Sequence, residues 1–346
     1  MDEAALLALD GAANDQLGVR VALSADGGRA LVGAYLDDTA GGVDAGSARV
    51  FVRTGAVWSE EVALFASSGA ALDGFGYAVS LSSDGSRALV GAIYDDLVVG
   101  AEAGSALVFA RAGTTWVEEA TLLASAGAAT DLFGGSVALS ADGSRALVGA
   151  YADDTVGGTD AGSARVFLRA GTTWVEEATL VASGGAAYDS FGQAVALSPD
   201  GSRALVGAYL DDTAGGADSG SVQTFFRTGA TWEEEATLLD SQGATGDQFG
   251  QAVAVNFDGT LALVGARSDD TADGVDAGSA VLFRRLGTRW VEETRLLSAD
   301  GAADDHFGES VALSADGTRA LVGAQYDDTV AGPDAGSAWV FLLTPP

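Results

Sequence analysis

The sequence predicts an all-β chain folded as a six-bladed β-propeller, with four antiparallel strands to a blade. Three observations predict it. A motif returns every 58 residues, four strand-like runs recur inside each copy, and the partial last copy finds its missing piece at the opposite end of the chain.

The motif is Asp-x-Phe-Gly, which opens copies at Asp73, Asp131, Asp189, Asp247 and Asp305, with the variant DQLG at Asp15. The copies run 15–72, 73–130, 131–188, 189–246 and 247–304, and the last is 305–346 completed by 1–14, so that 1–346 reads as a single propeller domain. In the third copy the strand-like runs are FGGSVALS (133–140), RALVGAYA (145–152), SARVFLRA (163–170) and WVEEATLVA (174–182). An Asp-Gly turn joins the first two, a strong hairpin signal. Phe133, Val137 and Leu139 fall on one face of the first run and small residues on the other, a pattern suited to blades that interlock. Residues Asp2–Ala13 line up with Glu118–Ala129, so Ala4–Leu9 is expected to lie beside Ala338–Leu342 as the outermost strand of the last blade. A ring closed in this way hides its sheet edges.

Composition narrows the function. Hydrophobic residues make up 48% of the chain, enough for a core, and the formal charge is −32, from 49 acids against 17 basic residues that are all arginine. A field of that sign repels nucleic acid and anionic lipid and favours cations and basic proteins. Without cysteine there is no disulfide framework, thiol nucleophile or zinc finger. No run approaches the roughly 18 apolar residues of a membrane helix, so membrane insertion is not expected and the chain reads as a soluble monomer.

The repeat also assigns charges to faces. The loop from second to third strand and the connection from fourth to first emerge on one side of a blade, and all six copies are acidic there at four positions: the DxFG aspartate, the Asp pair after LVGA, and the acid before the next Gly-Ser. These loop acids are Asp37, Asp38 and Asp44; Asp95, Asp96 and Glu102; Asp153, Asp154 and Asp160; Asp211, Asp212 and Asp218; Asp269, Asp270 and Asp276; Asp327, Asp328 and Asp334. On the other side, the Asp-Gly turns and the W-x-E-E strand starts, with Asp2 and Glu3 completing the set, face arginines and read as surface ion pairs.

The combination FG, V-A-L-S-x-D-G, L-V-G-A, a loop ending in Gly-Ser and a W-x-E-E strand resembles the FG-GAP repeat, the unit of the integrin α-subunit propeller and of many bacterial extracellular proteins, and the resemblance covers essentially the whole chain. It implies a propeller that binds a protein or glycan ligand through its loop face, in an extracellular or cell-surface setting. Two features depart from the integrin type: there is material for six blades and not seven, and the calcium loop between first and second strands has shrunk to Ser140–Gly143.

Two readings of the loop acids stand side by side. Asp favours turns by accepting hydrogen bonds from nearby backbone amides. Alternatively, the loop acids named above are ligands for calcium, which takes six to eight oxygens. His306 is the only histidine, and its place in other copies is held by Gln16, Gly74, Leu132, Ser190 and Gln248, which speaks against catalysis. The leading functional reading is a non-enzymatic binding or adhesion module. The alternatives are a structural scaffold whose acidity reflects adaptation to salt and, last, a carbohydrate-active enzyme, against which the near-identical repetition of the carboxylates argues.

Overall fold

A computed structural model describes residues 4–343, and every regular element among them is a strand. By contacts the chain forms two compact units, residues 1–153 with 165–179, and residues 154–164 with 180–346. The first holds sheets β1 (Val21–Leu23), β2 (Arg29–Ala34), β3 (Ser47–Thr54), β4 (Val57–Leu64); β5 (Phe75–Leu81), β6 (Arg87–Ala92), β7 (Ser105–Ala112), β8 (Thr115–Leu122); and, but for the start of β11 and the last residue of β12, β9 (Ser136–Leu139), β10 (Arg145–Ala150), β11 (Ser163–Ala170), β12 (Thr173–Leu180). The second holds β13 (Ala194–Leu197), β14 (Arg203–Ala208), β15 (Ser221–Thr228), β16 (Thr231–Leu238); β17 (Phe249–Val255), β18 (Leu261–Ala266), β19 (Ser279–Leu286), β20 (Arg289–Leu296); and β21 (Phe307–Leu313), β22 (Arg319–Ala324), β23 (Ser337–Leu342). Each sheet is an antiparallel meander in sequence order, four strands in the first five and three in the last, as a six-bladed propeller requires of its blades.

The local chemistry accounts for the hairpins. In the second sheet Gly85 takes a φ of 63°, while Asp84 accepts hydrogen bonds from the Ser82 hydroxyl at 2.7 Å and the Ser86 amide at 2.9 Å. The RALVGA strand is apolar on both faces because a sheet covers each of them, and Leu89 and Val90 are both fully buried.

Consecutive sheets meet through two kinds of residue. Phe75, at the FG motif, is fully buried and packs edge-on against Phe109 of its own sheet, ring centres 5.9 Å apart, in a cluster with Leu31, Val50 and Leu64 of the preceding sheet. The same pair recurs as Phe133 with Phe167, Phe249 with Phe283 and Phe307 with Phe341, at 5.9–6.1 Å. Beside the ring, backbone meets backbone: a Cβ on Gly91 would lie 2.0 Å from the carbonyl oxygen of Gly134, and one on Gly265 equally close to that of Gly308. The FG glycine makes this approach possible, since Gly134 and Gly308 have φ of 93° and 100°.

One expectation is not met. Residues 4–9 form no strand, and the sheet of β21–β23 has three strands, with β23 at its edge. The N-terminal segment instead packs on the first sheet, where Leu6 joins Ala30, Val32, Phe51 and Trp58 and the Leu9 amide donates to Glu60 at 2.9 Å. Those are the contacts a fourth strand makes with the sheet that follows it, so the segment keeps one half of its repeat role and lacks the ladder. Consistently, Leu23 is 62% exposed where Leu81 is 9%, and Val340 is 66% exposed where Val108 is fully buried.

The glycine contact yields a graded test. Gly91→Ala should cost roughly 3 kcal/mol, because the new methyl must push two backbones apart. Gly113→Ala, at a hairpin with φ 67° and open space around it, should cost only about 1 kcal/mol of backbone strain. Urea denaturation of the two variants checks the order.

Candidate functional site

The loop acids divide sharply by role. The first aspartate of the pair turns inward: Asp37, Asp153, Asp269 and Asp327 are buried, and Asp95 and Asp211 are half-buried. It accepts the hydroxyl of the serine that starts the third strand, at 2.5 Å from Ser47 and 2.6 Å from Ser105. The second aspartate, Asp38, Asp96, Asp154, Asp212, Asp270 or Asp328, is exposed. Its Oδ1 accepts the backbone amide of the third acid at 2.9–3.0 Å in all six copies. That third acid, Asp44, Glu102, Asp160, Asp218, Asp276 or Asp334, sits in left-handed backbone with φ of 50–53°, a conformation the amide contact helps to hold.

The loop so formed is stitched to the next sheet. In the first copy the carbonyls of Val43 and Ala45 accept the amides of Leu72 and Phe75, at 2.9 and 3.0 Å, placing the FG motif. The DxFG aspartates, expected on the surface, are buried in every copy, and each accepts an amide three residues upstream, as Asp73 does from Ala70 at 2.6 Å. Burial raises the carboxyls of Asp73, Asp189 and Asp305, and that of Asp247 to about 6, with Asp269 and Asp240 adding to the shift.

The W-x-E-E set also departs from surface ion pairing. Glu61 has only 8% of its side chain exposed and binds Arg29 of its own sheet at 3.1 Å, Arg111 of the next at 3.0 Å, and the Trp116 indole at 3.2 Å. Arg169 and Trp174 repeat this at Glu119, and Arg285 and Trp290 at Glu235. Burial pushes these three carboxyls up, and the guanidinium and indole hydrogen bonds outweigh it, leaving them below the ordinary glutamate value. Asp2 and Glu3 lie outside the described residues.

The inward aspartate is neutralised in more than one way. In the first and third copies an arginine on the third strand answers it, Arg49 to Asp37 at 2.5 Å and Arg165 to Asp153 at 2.9 Å. The fifth copy has Val281 at that position, and the cation comes from its cross-strand partner Arg295, which binds both Asp269 and Asp240. Leu107 and Thr121 fill the two places in the second copy, and burial raises Asp95 there. Arg295→Thr should therefore cost about 3 kcal/mol by stranding buried carboxylates. Adding Val281→Arg should recover most of it by rebuilding the pattern of the first copy. A urea double-mutant cycle measures both.

A pH dependence follows from the DxFG ring. Asp247 has a folded value above its unfolded one, so its contribution is fully present below about pH 4 and is lost as pH rises through about 6. The melting temperature should thus climb as pH falls from 7 toward 5, and Asp247→Asn, which keeps an acceptor for the Ala244 amide, should flatten that climb.

Where the copies diverge, the side chains lie at the start of the first strand and the end of the second. Tyr35, Tyr77 and Tyr94 form an edge-to-face run with ring centres 5.4 and 6.2 Å apart. Beside it a cavity of about 300 Å³ is lined by Leu36, Asp44, Ala71, Leu72, Gly74, Tyr94, Asp96 and Glu102. In the second unit His306 is half-buried, packs edge-on against Tyr326 at 5.3 Å and has a buried Nδ1 that no described residue meets with a hydrogen bond. Arg267 binds Gln248 at 2.9 Å and Glu309 at 3.1 Å. The tyrosine run and its cavity went unseen in the sequence, although the signal was there: the place of Tyr94 holds Leu36, Ala152, Leu210, Ser268 and Tyr326 in copies otherwise nearly alike.

Among the described residues no three acidic or histidine side chains converge where a metal ion could sit. In these loops the inward aspartate meets a serine hydroxyl, as Asp37 does at Ser47, and the outward one accepts a backbone amide through Oδ1. What the geometry defines is a repeat protein of the β-propeller class, with acids serving as backbone acceptors. Residues 1–51, 58–109, 116–167, 174–225, 232–283 and 290–341 each match the FG-GAP repeat, and the chain belongs to that family. No curated protein matches it in sequence. Among solved structures it is similar to the hydrazine synthase of Kuenenia stuttgartiensis, with a TM-score of 0.59 over 92% of this chain and 77% of that one, at 13% identity, a likeness of fold alone.

Proposed function

We propose that this FG-GAP propeller is a non-catalytic binding module that offers the loop side of its blades to a positively charged protein ligand. The observation that supports it most is the exposed second aspartate of every copy, one carboxylate per blade that keeps an oxygen free after the loop amide is satisfied. A net charge of −32 adds long-range attraction for such a ligand. The scaffold reading has its own support, since most other loop-side acids are consumed in holding the fold.

A pair of charge variants separates the two. Changing the six exposed aspartates to asparagine keeps the Oδ1 acceptor and removes six charges; changing the six Asp-Gly turn aspartates, Asp26, Asp84, Asp142, Asp200, Asp258 and Asp316, removes as many from the other side. The first set should weaken binding of a deca-lysine peptide at least tenfold at low salt, and the second set much less, in a surface-immobilised binding assay. Equal loss from both sets, or no binding by the parent, would leave the scaffold reading in possession.

A further inference from the structure

The first sheet and the last each leave bare a side on which their siblings are packed. Where two sheets of one unit follow each other, Leu31, Val50 and Leu64 of the earlier sheet meet Phe75, Val79 and Leu81 on the first strand of the later one. The pattern recurs where Leu263, Leu282 and Leu296 meet Phe307 and its neighbours. In the last sheet the slots of Leu31 and Val50 hold Leu321 and Val340, which are 45% and 66% exposed, and no strand pairs with β23 on its outer edge. In the first sheet the slots of Val79 and Leu81 hold Val21 and Leu23, both exposed. Arg319 shares the imbalance. Arg29 and Arg145 each bind a glutamate on the fourth strand of their own sheet, at 3.1 and 3.2 Å, but Arg319 is exposed and forms no ion pair among the described residues.

We propose that the last sheet of one copy docks head-to-tail on the first sheet of a second copy, whose residues 4–9 then pair with β23 as its missing fourth strand. Two observations select this occupant. The first is Pro345. Gly55, Gly113, Gly171, Gly229 and Gly287 turn the third strand into the fourth with φ of 65–70°, and proline, locked near −65°, stands in their slot in the last copy. A hairpin there cannot return a strand along β23. The second is the segment itself. Leu6, in the slot of Leu64, is already seated against Phe51 and Trp58 of the first sheet, beside Leu17. Together with Val21 and Leu23 these residues form the apolar surface that Leu321 and Val340 lack. Glu3 holds the sequence slot of Glu61, so the same segment carries the acid that Arg319 is missing. The contact continues the packing between consecutive sheets across two copies. Being heterologous, it either closes by reciprocal exchange or adds copies in one direction.

The chain has no cysteine, so an introduced disulfide reports the contact directly. In the second sheet Val108 and Ala120 are cross-strand partners, and Val340 and Ala4 hold their slots. Ala4→Cys and Val340→Cys, made in separate full-length chains, mixed and oxidised, should give a covalent dimer linking the two variants, identified by peptide mass. Ala4→Cys mixed with Val98→Cys, a fully exposed loop position, should give roughly a tenth as much or less. No excess over that control overturns the proposal. If the double variant then forms a cross-linked monomer, the chain pairs with itself instead. Sedimentation velocity gives a second reading. The parent should sediment as a dimer or larger, and Val340→Asp, at a position already exposed, should return it to monomer. A parent that is monomeric up to about 100 µM, where a contact of micromolar affinity is saturated, or an oligomer indifferent to Val340→Asp, overturns it equally.

Discussion

The contact on which the rest depends is glycine backbone against glycine backbone between successive sheets. With Gly91 facing the carbonyl of Gly134 at a distance that leaves no room for a methyl, the sheets lie closer than side chains allow. The neighbouring Phe133 can then fill the wedge that opens away from that contact, fully buried against the preceding sheet. The acidic loops follow from the same geometry: the FG strand must enter at a set height, and the carbonyls of the preceding loop catch its amide to put it there. A loop held that tightly needs its own turns secured, and aspartate secures them with one short side chain each.

The same geometry gives so acidic a chain a structural use for its carboxylates. Most of its carboxylates are hydrogen-bond acceptors for amides or hydroxyls that would otherwise be unsatisfied, and an amide bond to a charged acceptor contributes more than one to a neutral one. The exceptions locate stress. Burial raises Asp95 and Asp211, which no guanidinium meets among the described residues, and raises Asp269 as well, although the fourth strand of the fifth copy supplies Arg295 in place of a third-strand arginine. Two solutions to one electrostatic problem at cross-strand positions indicate that the problem is set by the fold and not by either residue.

Much of the fold was legible in the sequence because its causes are local: Asp-Gly turns, apolar alternation in the strands, and a period free of insertions. The FG phenylalanine could be placed in the core for the same reason. Burial of Asp73 or Glu61 was not legible, because their partners differ in kind. Asp73 answers an amide three residues back, but Glu61 answers Arg111 and Trp116 some fifty residues on, and a repeat pattern shows what recurs without showing which copy's residue meets which. The fourth strand of the last sheet was read from alignment alone. Alignment carried no information on the ladder to β23, and the contact of Leu6 with the first sheet emerges only from the structure.

The slot occupied by Gly74 and His306 shows how such a repeat can diversify without unfolding. Its backbone is left-handed in every copy, at φ of 55–64°, and the strain this imposes on a non-glycine residue is borne whichever side chain is attached. The side chain projects beside the residues that end the second strand, outside the packed wedge, so Gln, Leu, Ser, His or none at all leaves the Phe and Gly contacts untouched. Positions of that kind are where a propeller with uniform blades can acquire a non-uniform surface at little cost in stability. The glycine of the second copy, next to an aromatic ring and carboxylates with free oxygens, is the one instance among the described residues where the slot has been emptied and a cavity left in its place.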